Sequence, residues 1–284
     1  MRSLRIGFAA IPFNPKLLPV TSKKSARESA LRLMRVADYT RSLGIDFYRI
    51  PANISPYDSL EQVDEAREAI RELGDQFRRL DIRTCFHVTY FCILNSPVPG
   101  VVEKSIGELE CLAAFDRYMG GGNHIELHGG GAYGDREAAI RRFIDRALKL
   151  DEYVFKMIRL ENEEHAGKIG TVGELIRINR ETGIPLLFDY AHYQVNPLET
   201  GWPPREIVGQ FLMTWRNATT FPVLHYSTIR PGSGTHMPVN PAEFWQYVEQ
   251  LKGLEFDVML ETKEKEKDVL KVKRYAISPS LPSS

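Results

Sequence analysis

The sequence predicts a single closed (β/α)8 barrel of the TIM type, an α/β fold. Three observations carry this. Strand-like and helix-like segments alternate eight times along 284 residues, and no linker or internal repeat divides them. The first strand runs into Phe8-Ala-Ala-Ile-Pro-Phe13, which lacks the glycine-rich phosphate turn of an open doubly wound sheet. The barrel domain is expected to span residues 1–265. Residues 266–284 are expected to be a loose tail, because Lys and Glu alternate from Lys263 and the chain ends Ser-Pro-Ser-Leu-Pro-Ser-Ser.

Residues 4–9 form a short apolar run without helical period and read as the first strand. Residues 25–43 follow helical spacing, with Leu31, Met34, Val36 and Tyr39 on or near one face and Gly44 as the stop. The next strand–helix pairs are 47–50 with 60–80, 82–87 with 101–119, and 124–128 with 135–150. The fifth strand, 157–161, precedes a helix near 172–181, and Gly183 and Pro185 punctuate the turn into the sixth strand, 186–189. A helix over 205–215, a strand over 222–225, a helix over 241–251 and a strand over 256–261 complete the series.

The 37 Lys+Arg are balanced by 37 Asp+Glu, so the formal net charge is +0. That excludes a generally basic nucleic-acid binder and leaves room for a local basic groove. A hydrophobic fraction of 43% supports a sizeable core and excludes global disorder. No apolar run approaches the roughly 18 residues of a spanning helix, and the start does not read as a signal peptide. The three cysteines, Cys85, Cys92 and Cys111, are odd in number and unclustered, which argues against a disulfide framework and a Cys-type zinc site. The expectation is a soluble cytoplasmic enzyme.

Metal-ligand residue types collect at the strand ends. His87, His128 and His225 end predicted strands; His192 follows the sixth and His236 the seventh. Glu161, Asp189 and Glu261 end the fifth, sixth and eighth. In a barrel all these ends face one rim, where active sites are built. Imidazole and carboxylate without thiolate suit Zn²⁺, Mn²⁺ or Fe²⁺, and eight such residues exceed one coordination sphere, so two or three ions are expected. A single strand-end His is more often a packing or surface residue, but eight ionisable groups at equivalent positions are hard to assign to packing. His124, at the opposite rim, and His165, in the acidic loop after Glu161, are expected to play packing or surface roles.

Gly129-Gly-Gly-Ala-Tyr-Gly134 reads either as a backbone cradle for phosphate or as a plain tight turn, and its place directly after His128 adds weight to the first. Arg230-Pro-Gly-Ser-Gly-Thr-His236 joins a cation, a glycine turn and a ligand type. Tyr90 and Phe91, on the loop after His87, either cover the barrel mouth or present a stacking surface to a base.

These motifs carry a resemblance. The chain resembles the ultraviolet damage endonucleases, which are similar in fold to endonuclease IV and the xylose-isomerase-like barrels. The match runs from about Arg5 to Lys263, on Phe47-Tyr-Arg-Ile50, Phe86-His87, Leu127-His-Gly-Gly-Gly-Ala-Tyr-Gly134, Leu160-Glu-Asn162, Asp189-Tyr-Ala-His192 with Asn196-Pro197, His225, Arg230-Pro-Gly-Ser-Gly-Thr-His236 and Val258-Met-Leu-Glu-Thr-Lys263. It implies ATP-independent cutting of DNA immediately 5′ to an ultraviolet photoproduct, with abasic-site cutting as a side activity. It also implies two to three divalent ions, typically manganese, with zinc, magnesium or cobalt as alternatives, and no nucleotide cofactor.

Carried over by position, His87, His128 and Glu161 would hold one ion. Glu161 would bridge to a second, held also by Asp189, His225 and Glu261, and His192 and His236 would hold a third. Glu161, Glu261 and Lys263 become the candidate catalytic groups. Tyr90, Phe91, Arg49, Asn53, Tyr133 and Arg230 become the candidate DNA or lesion contacts. The partner would be damaged double-stranded DNA, met by a monomer, with no membrane involved.

Three positions depart from the family pattern. Tyr90-Phe91 stand where many members have Gln-Tyr, Val223 stands where some carry a Lys two residues before the seventh-strand His, and Phe8 replaces a first-strand Tyr. The main rival is a metal-dependent sugar isomerase or epimerase on the same barrel, which needs Glu161, Asp189, His225 and Glu261 but not the additional imidazoles.

Overall fold

The computed structural model describes residues 3–9, 12–13, 25–51, 59–199, 201–230 and 236–277. The chain begins β1 (Ile6–Ala9), α1 (Ala26–Ser42), β2 (Phe47–Ile50), α2 (Leu60–Glu65), α3 (Arg67–Arg79), β3 (Arg83–His87) and α4 (Pro99–Met119). It continues β4 (Ile125–His128), α5 (Arg136–Ala147), α6 (Glu152–Met157), β5 (Ile158–Glu161), α7 (Val172–Thr182), β6 (Leu186–Asp189), α8 (Tyr190–Val195) and α9 (Pro204–Met213). It closes with β7 (Val223–Tyr226), β8 (Thr228–Ile229), β9 (His236–Met237), α10 (Pro241–Gln250), β10 (Asp257–Leu260) and α11 (Glu266–Ile277).

Eight strands close into a parallel barrel in the order β1-β10-β7-β6-β5-β4-β3-β2, as the sequence predicts. β8 and β9 form a separate antiparallel pair above it. Strand alternation sorts the side chains into two environments. Phe8, Tyr48, Phe86, Leu127, Leu160, Phe188, Leu224 and Val258 face outward into the main core under the helices. Phe47, Cys85, Leu187, Val223 and Met259 form a second, small apolar cluster inside the barrel.

The rest of that interior is charged. Barrel interiors are usually filled by layers of branched aliphatic residues. Here the base carries Arg83 paired to Asp257 at 2.5 Å, and the fully buried Arg159, whose guanidinium lies 4.8 Å from the Trp215 ring centroid. Buried charge survives only when paired, so these groups are bound into the scaffold.

Helix ends follow local chemistry. Ser25 with Glu28, and Thr171 with Glu174, form capping boxes for α1 and α7, and Gly183 ends α7 with a left-handed φ of 79°.

The structure corrects three expectations and adds one helix. The helix expected over 60–80 breaks at Ala66 (φ −90°, ψ 3°), where no Gly or Pro announces the break. The helix expected over 135–150 ends at Ala147, and Asp151 caps a new one, α6, through the N–H groups of Tyr153 and Val154. Helix α8 starts directly at the end of β6, with Asp189 itself as the N-cap.

The expected loose tail is a helix over Glu266–Ile277, and residues 278–284 lie outside the described residues. Its Val269 and Val272 are buried, and Asp268 accepts from Val239 N–H (2.8 Å) and the Thr262 hydroxyl (2.6 Å). Most of the Lys/Glu alternation precedes the helix, and its Glu266 is itself buried, accepting from Phe13 N–H at 2.7 Å. Among the described residues no helix is long and apolar enough to cross a membrane.

Candidate metal centre

The register of the parallel strands builds a ring of ligand-type side chains at the carboxyl ends. His128 pairs in register with Glu161, and Asp189 with His225, which is in register with Met259 on its other side. Glu161 is the centre of this ring. Its Oε1 lies 3.1 Å from His225 Nδ1 and 3.3 Å from His192 Nδ1, while its Oε2 lies 3.8 Å from His128 Nε2 and 3.9 Å from His87 Nε2. His225 Nδ1 is also 3.1 Å from Glu261 Oε1 and 4.0 Å from Asp189 Oδ2. The rings of His87, His128, His192 and His236 follow one another at centroid separations of 5.7, 5.6 and 6.4 Å.

Three ligand sets result. His87, His128 and Glu161 form the first; Glu161, Asp189, His225 and Glu261 the second; Glu164, His192 and His236 the third. In each, one ligand atom per residue lies within 4.8 Å of the others. The sets expected from sequence are brought together, with Glu161 common to two of them. Glu164 is an addition. It sits in the acidic loop that the sequence reading passed over, beside His165, which is exposed as expected and 3.1 Å from Glu164.

Two buried carboxylate oxygens here, Glu161 Oε2 and Asp189 Oδ2, have no hydrogen-bond partner. Orphaned buried oxygens are costly, and a cation among them removes that cost, so the donor set fits divalent ions with O/N preference. Backbone carbonyls orient the imidazoles. His87 Nδ1 donates to Val88 O (2.7 Å), His192 Nδ1 to Asn162 O (3.0 Å) and His236 Nδ1 to Glu261 O (2.9 Å). A carbonyl only accepts, so each Nδ1 carries a proton and Nε2 is the nitrogen that a metal ion could take. Asp189 serves twice: its Oδ1 caps α8 at His192 N–H (2.7 Å), and its Oδ2 stays in the ring.

The electrostatics divide the imidazoles. Burial lowers His87 to about 4, helped by Arg49, and lowers His128 well below its ordinary value, helped by His192 and His87. Burial also opposes charge on His192 and His225, but the surrounding carboxylates win. Asp189, Glu161 and Glu261 raise His192 to about 9, and Glu161, Glu126 and Glu261 raise His225 well above its ordinary value. Burial raises Glu161, whereas Arg49 and His225 overcome burial and hold Glu261 well below the carboxylate range.

Other expected residues fall in different places. Arg49, expected at the DNA, points into the barrel: its side chain is 12% exposed, pairs with Glu126 at 3.1 Å and bonds Glu261. Tyr90 and Phe91 stand on the rim loop after β3, 77% and 80% exposed, with rings edge-to-face at 6.1 Å. Lys168 Nζ lies 5.2 Å from the Tyr90 ring centroid. Tyr133 is exposed and holds a left-handed φ of 51°, an uncommon conformation for a non-glycine residue. Arg230 and Lys263 are exposed on rim loops. Asn53 lies outside the described residues.

The glycines after His128 answer to packing. A Cβ on Gly129 would meet Ile169 at 2.7 Å, and Gly130, at φ +84°, would meet Asn95 Oδ1 at 2.2 Å. The loop backbone is bonded to the loop after β5 through Ile169 N–H to Gly130 O and Ala132 N–H to Gly167 O, so the expected phosphate cradle is not required to explain these glycines. Phe8 packs outward against Tyr48, away from the rim. Val223 faces inward, in the apolar cluster two residues before His225 on β7.

Sequence reasoning missed Glu126, although the alternation His124-Ile-Glu-Leu-His128 gives β4 three polar groups on one face. Glu126 is fully buried, and His124, also fully buried, contacts it at 3.1 Å. Cys85 lies within ligand distance of both. Burial and Glu126 keep that thiol protonated, which makes it a poor ligand.

Known proteins match this chain in sequence and fold. The UV DNA damage endonuclease of Bacillus velezensis is 28% identical over 270 residues, covering 88% of this chain and 83% of that protein. The crystal structure of SacUVDE superposes with a TM-score of 0.84 at 26% identity, covering 98% of this chain and 100% of that one. Endonuclease IV from Thermus thermophilus shares the fold, with a TM-score of 0.60 at 14% identity over 96% of this chain and 98% of that one. The family described as UV-endonuclease UvdE matches residues 21–279, and on that match the chain belongs to the UV-endonuclease family.

Proposed function

We propose that this chain is a metal-dependent DNA repair endonuclease that hydrolyses the phosphodiester immediately 5′ to ultraviolet photoproducts, pyrimidine dimers and 6-4 products, without ATP. Abasic-site cutting is a side activity of the same centre. The observation that carries the reading is the convergence of three ligand sets on one rim, two of them sharing Glu161. A sugar isomerase needs the second set and does not need His87, His128 and His236 as further ligands.

His87, His128 and Glu161 would hold one ion, Asp189, His225 and Glu261 with Glu161 a second, and His192 and His236 with Glu164 a third. Divalent ions in these positions, manganese first among them, supply Lewis-acid stabilisation of phosphoryl charge and lower the pKa of water. The chain's own residues then bind and orient. Arg49 anchors Glu261 from below. Tyr90 and Phe91, exposed on the rim loop, would fill the space left by extruded bases, and a photoproduct, poorly paired and stacked, is the cheaper base step to extrude. Tyr133, Arg230 and Lys263 offer the rim polar contacts to the phosphate backbone.

The test is a cleavage assay on an end-labelled duplex carrying one pyrimidine dimer, beside undamaged and abasic duplexes, with and without Mn²⁺. A single metal-dependent cut 5′ to the dimer is expected. Absence of cutting by protein that carries two to three ions per chain overturns the reading, and about one ion per chain directs attention to sugar substrates.

A further inference from the structure

Glu126 sits inside the barrel, two residues before His128 on β4, fully buried and without a place in any of the three ligand sets on the rim. Its carboxylate has three nitrogen neighbours, beside the Cys85 thiol. Oε2 lies 3.3 Å from His225 Nε2 and 3.1 Å from Arg49 Nη1, and Oε1 lies 3.1 Å from His124 Nε2. His225 therefore stands between two acidic environments. Its Nδ1 faces Glu161 and Glu261, each at 3.1 Å, and its Nε2 faces Glu126. Among the described residues Nε2 is buried without a well-aligned hydrogen bond, and the Glu126 carboxylate at 3.3 Å is its acidic neighbour.

We propose that Glu126 is a positioning residue for the metal centre: by accepting a hydrogen bond from the Nε2–H of His225, it leaves the Nδ1 lone pair directed toward the Glu161–Asp189–Glu261 carboxylates. This rests on the metal-dependent reading above. An imidazole coordinates through one nitrogen and needs an acceptor at the other to fix tautomer and ring orientation. His87, His192 and His236 use backbone carbonyls for this purpose. His225 uses a carboxylate, which also raises the basicity of the ring. Arg49 completes the device. One guanidinium bonds both Glu126 and the ligand Glu261, so the supporting carboxylate and the ligating one are held by a common cation. Val223, the inward residue before His225 on β7, is apolar and cannot substitute for Glu126.

The test measures Mn²⁺ binding to the DNA-free protein, counting free Mn²⁺ by its solution EPR signal, for wild type, Glu126→Gln, His225→Gln and the double variant. Glu126→Gln is expected to weaken binding of one ion about 10–100-fold, leaving the others unchanged. The double variant is expected to bind no more weakly than His225→Gln alone, because both changes remove one interaction. Unchanged affinity in Glu126→Gln, or losses that simply add, overturns the proposal while leaving the metal centre intact. A wild-type protein that binds no Mn²⁺ overturns both. Should Glu126→Gln not fold, the tautomer of His225 in zinc-loaded wild-type protein decides. Long-range ¹H–¹⁵N correlation is expected to show the proton on Nε2, and a proton on Nδ1 overturns the proposal.

Discussion

Glu161 Oε1 approaches His225 Nδ1 to 3.1 Å, while the other oxygen of the same carboxylate faces His87 and His128. One side chain is thereby shared between two ligand sets. Glu161→Gln keeps the volume and removes the charge. It is expected to lower kcat about 100-fold or more, equivalent to about 3 kcal/mol of transition-state stabilisation, and to reduce bound ions per chain. Because burial raises the Glu161 pKa, its charge is unfavourable in metal-free protein, so the variant should melt higher without metal. Calorimetry with and without Mn²⁺, beside steady-state cutting, checks both.

Tyr90 and Phe91 are exposed, so their removal should cost the fold less than about 0.5 kcal/mol. Base stacking on an aromatic ring is worth about 1–3 kcal/mol. Tyr90→Ala with Phe91→Ala should therefore weaken binding to a dimer-containing duplex about 10-fold or more and leave binding to undamaged duplex nearly unchanged. Equal loss on both duplexes would show that the pair serves the backbone and not the lesion.

Chelation should separate fold from activity. Dialysis against EDTA is expected to stop cutting and leave the far-ultraviolet circular dichroism unchanged, since the barrel closes through its own strand register. Restored Mn²⁺ should raise the melting temperature, because an ion that binds only the native state at 100 times its Kd adds about 2.7 kcal/mol. Loss of helical signal on chelation would contradict this.

His124 gives the scaffold an acid limit. Burial lowers its pKa to about 4, against some upward pull from Glu126. A His with a lowered native pKa is uncharged in the fold, and below pH 6.5 the unfolded chain binds the additional proton. Its contribution is therefore complete above pH 6.5 and is lost as pH falls toward 4, up to about 3 kcal/mol. His124→Gln, which does not titrate there, should show a shallower fall in urea midpoint between pH 6.5 and 4.5. An unaltered slope would mean that other groups set the limit.

Helix α11 belongs to the domain. Asp268→Ala removes acceptors for Val239 N–H and Thr262 and should cost about 2–3 kcal/mol, read as a lower denaturation midpoint. Truncation before Glu266 should cost more, since it also uncovers the surface against Val269 and Val272.

The rim residues of ligand type were legible because strand periodicity ends on them: His87, His128, Glu161 and Asp189 each terminate a strand in the structure as in the sequence. Arg49 was misplaced for a reason that periodicity does not reach. Its inward direction is local, but its partner Glu126 lies 77 residues away, and strand order decides that they meet. Glu164 was hidden because a charged loop reads as solvated surface until the fold turns it toward His192 and His236. Helix α11 was hidden because its burial depends on α10 and the turn after β10, to which its own composition gives no clue.

The charges inside the barrel are ordered along its axis. Arg83, Arg159 and Asp257 lie at the base, Arg49 with Glu126 midway, and Glu161, Asp189 and Glu261 at the mouth, where the His192 and His225 imidazoles offset part of their charge. A molecule with formal net charge +0 thus carries an internal dipole whose negative end faces the incoming strand. A phosphate arriving there meets carboxylates before any guanidinium. Divalent ions at the mouth would reverse that sign, so the act that arms the chemistry would also admit the substrate, and bare protein would repel the polymer it repairs.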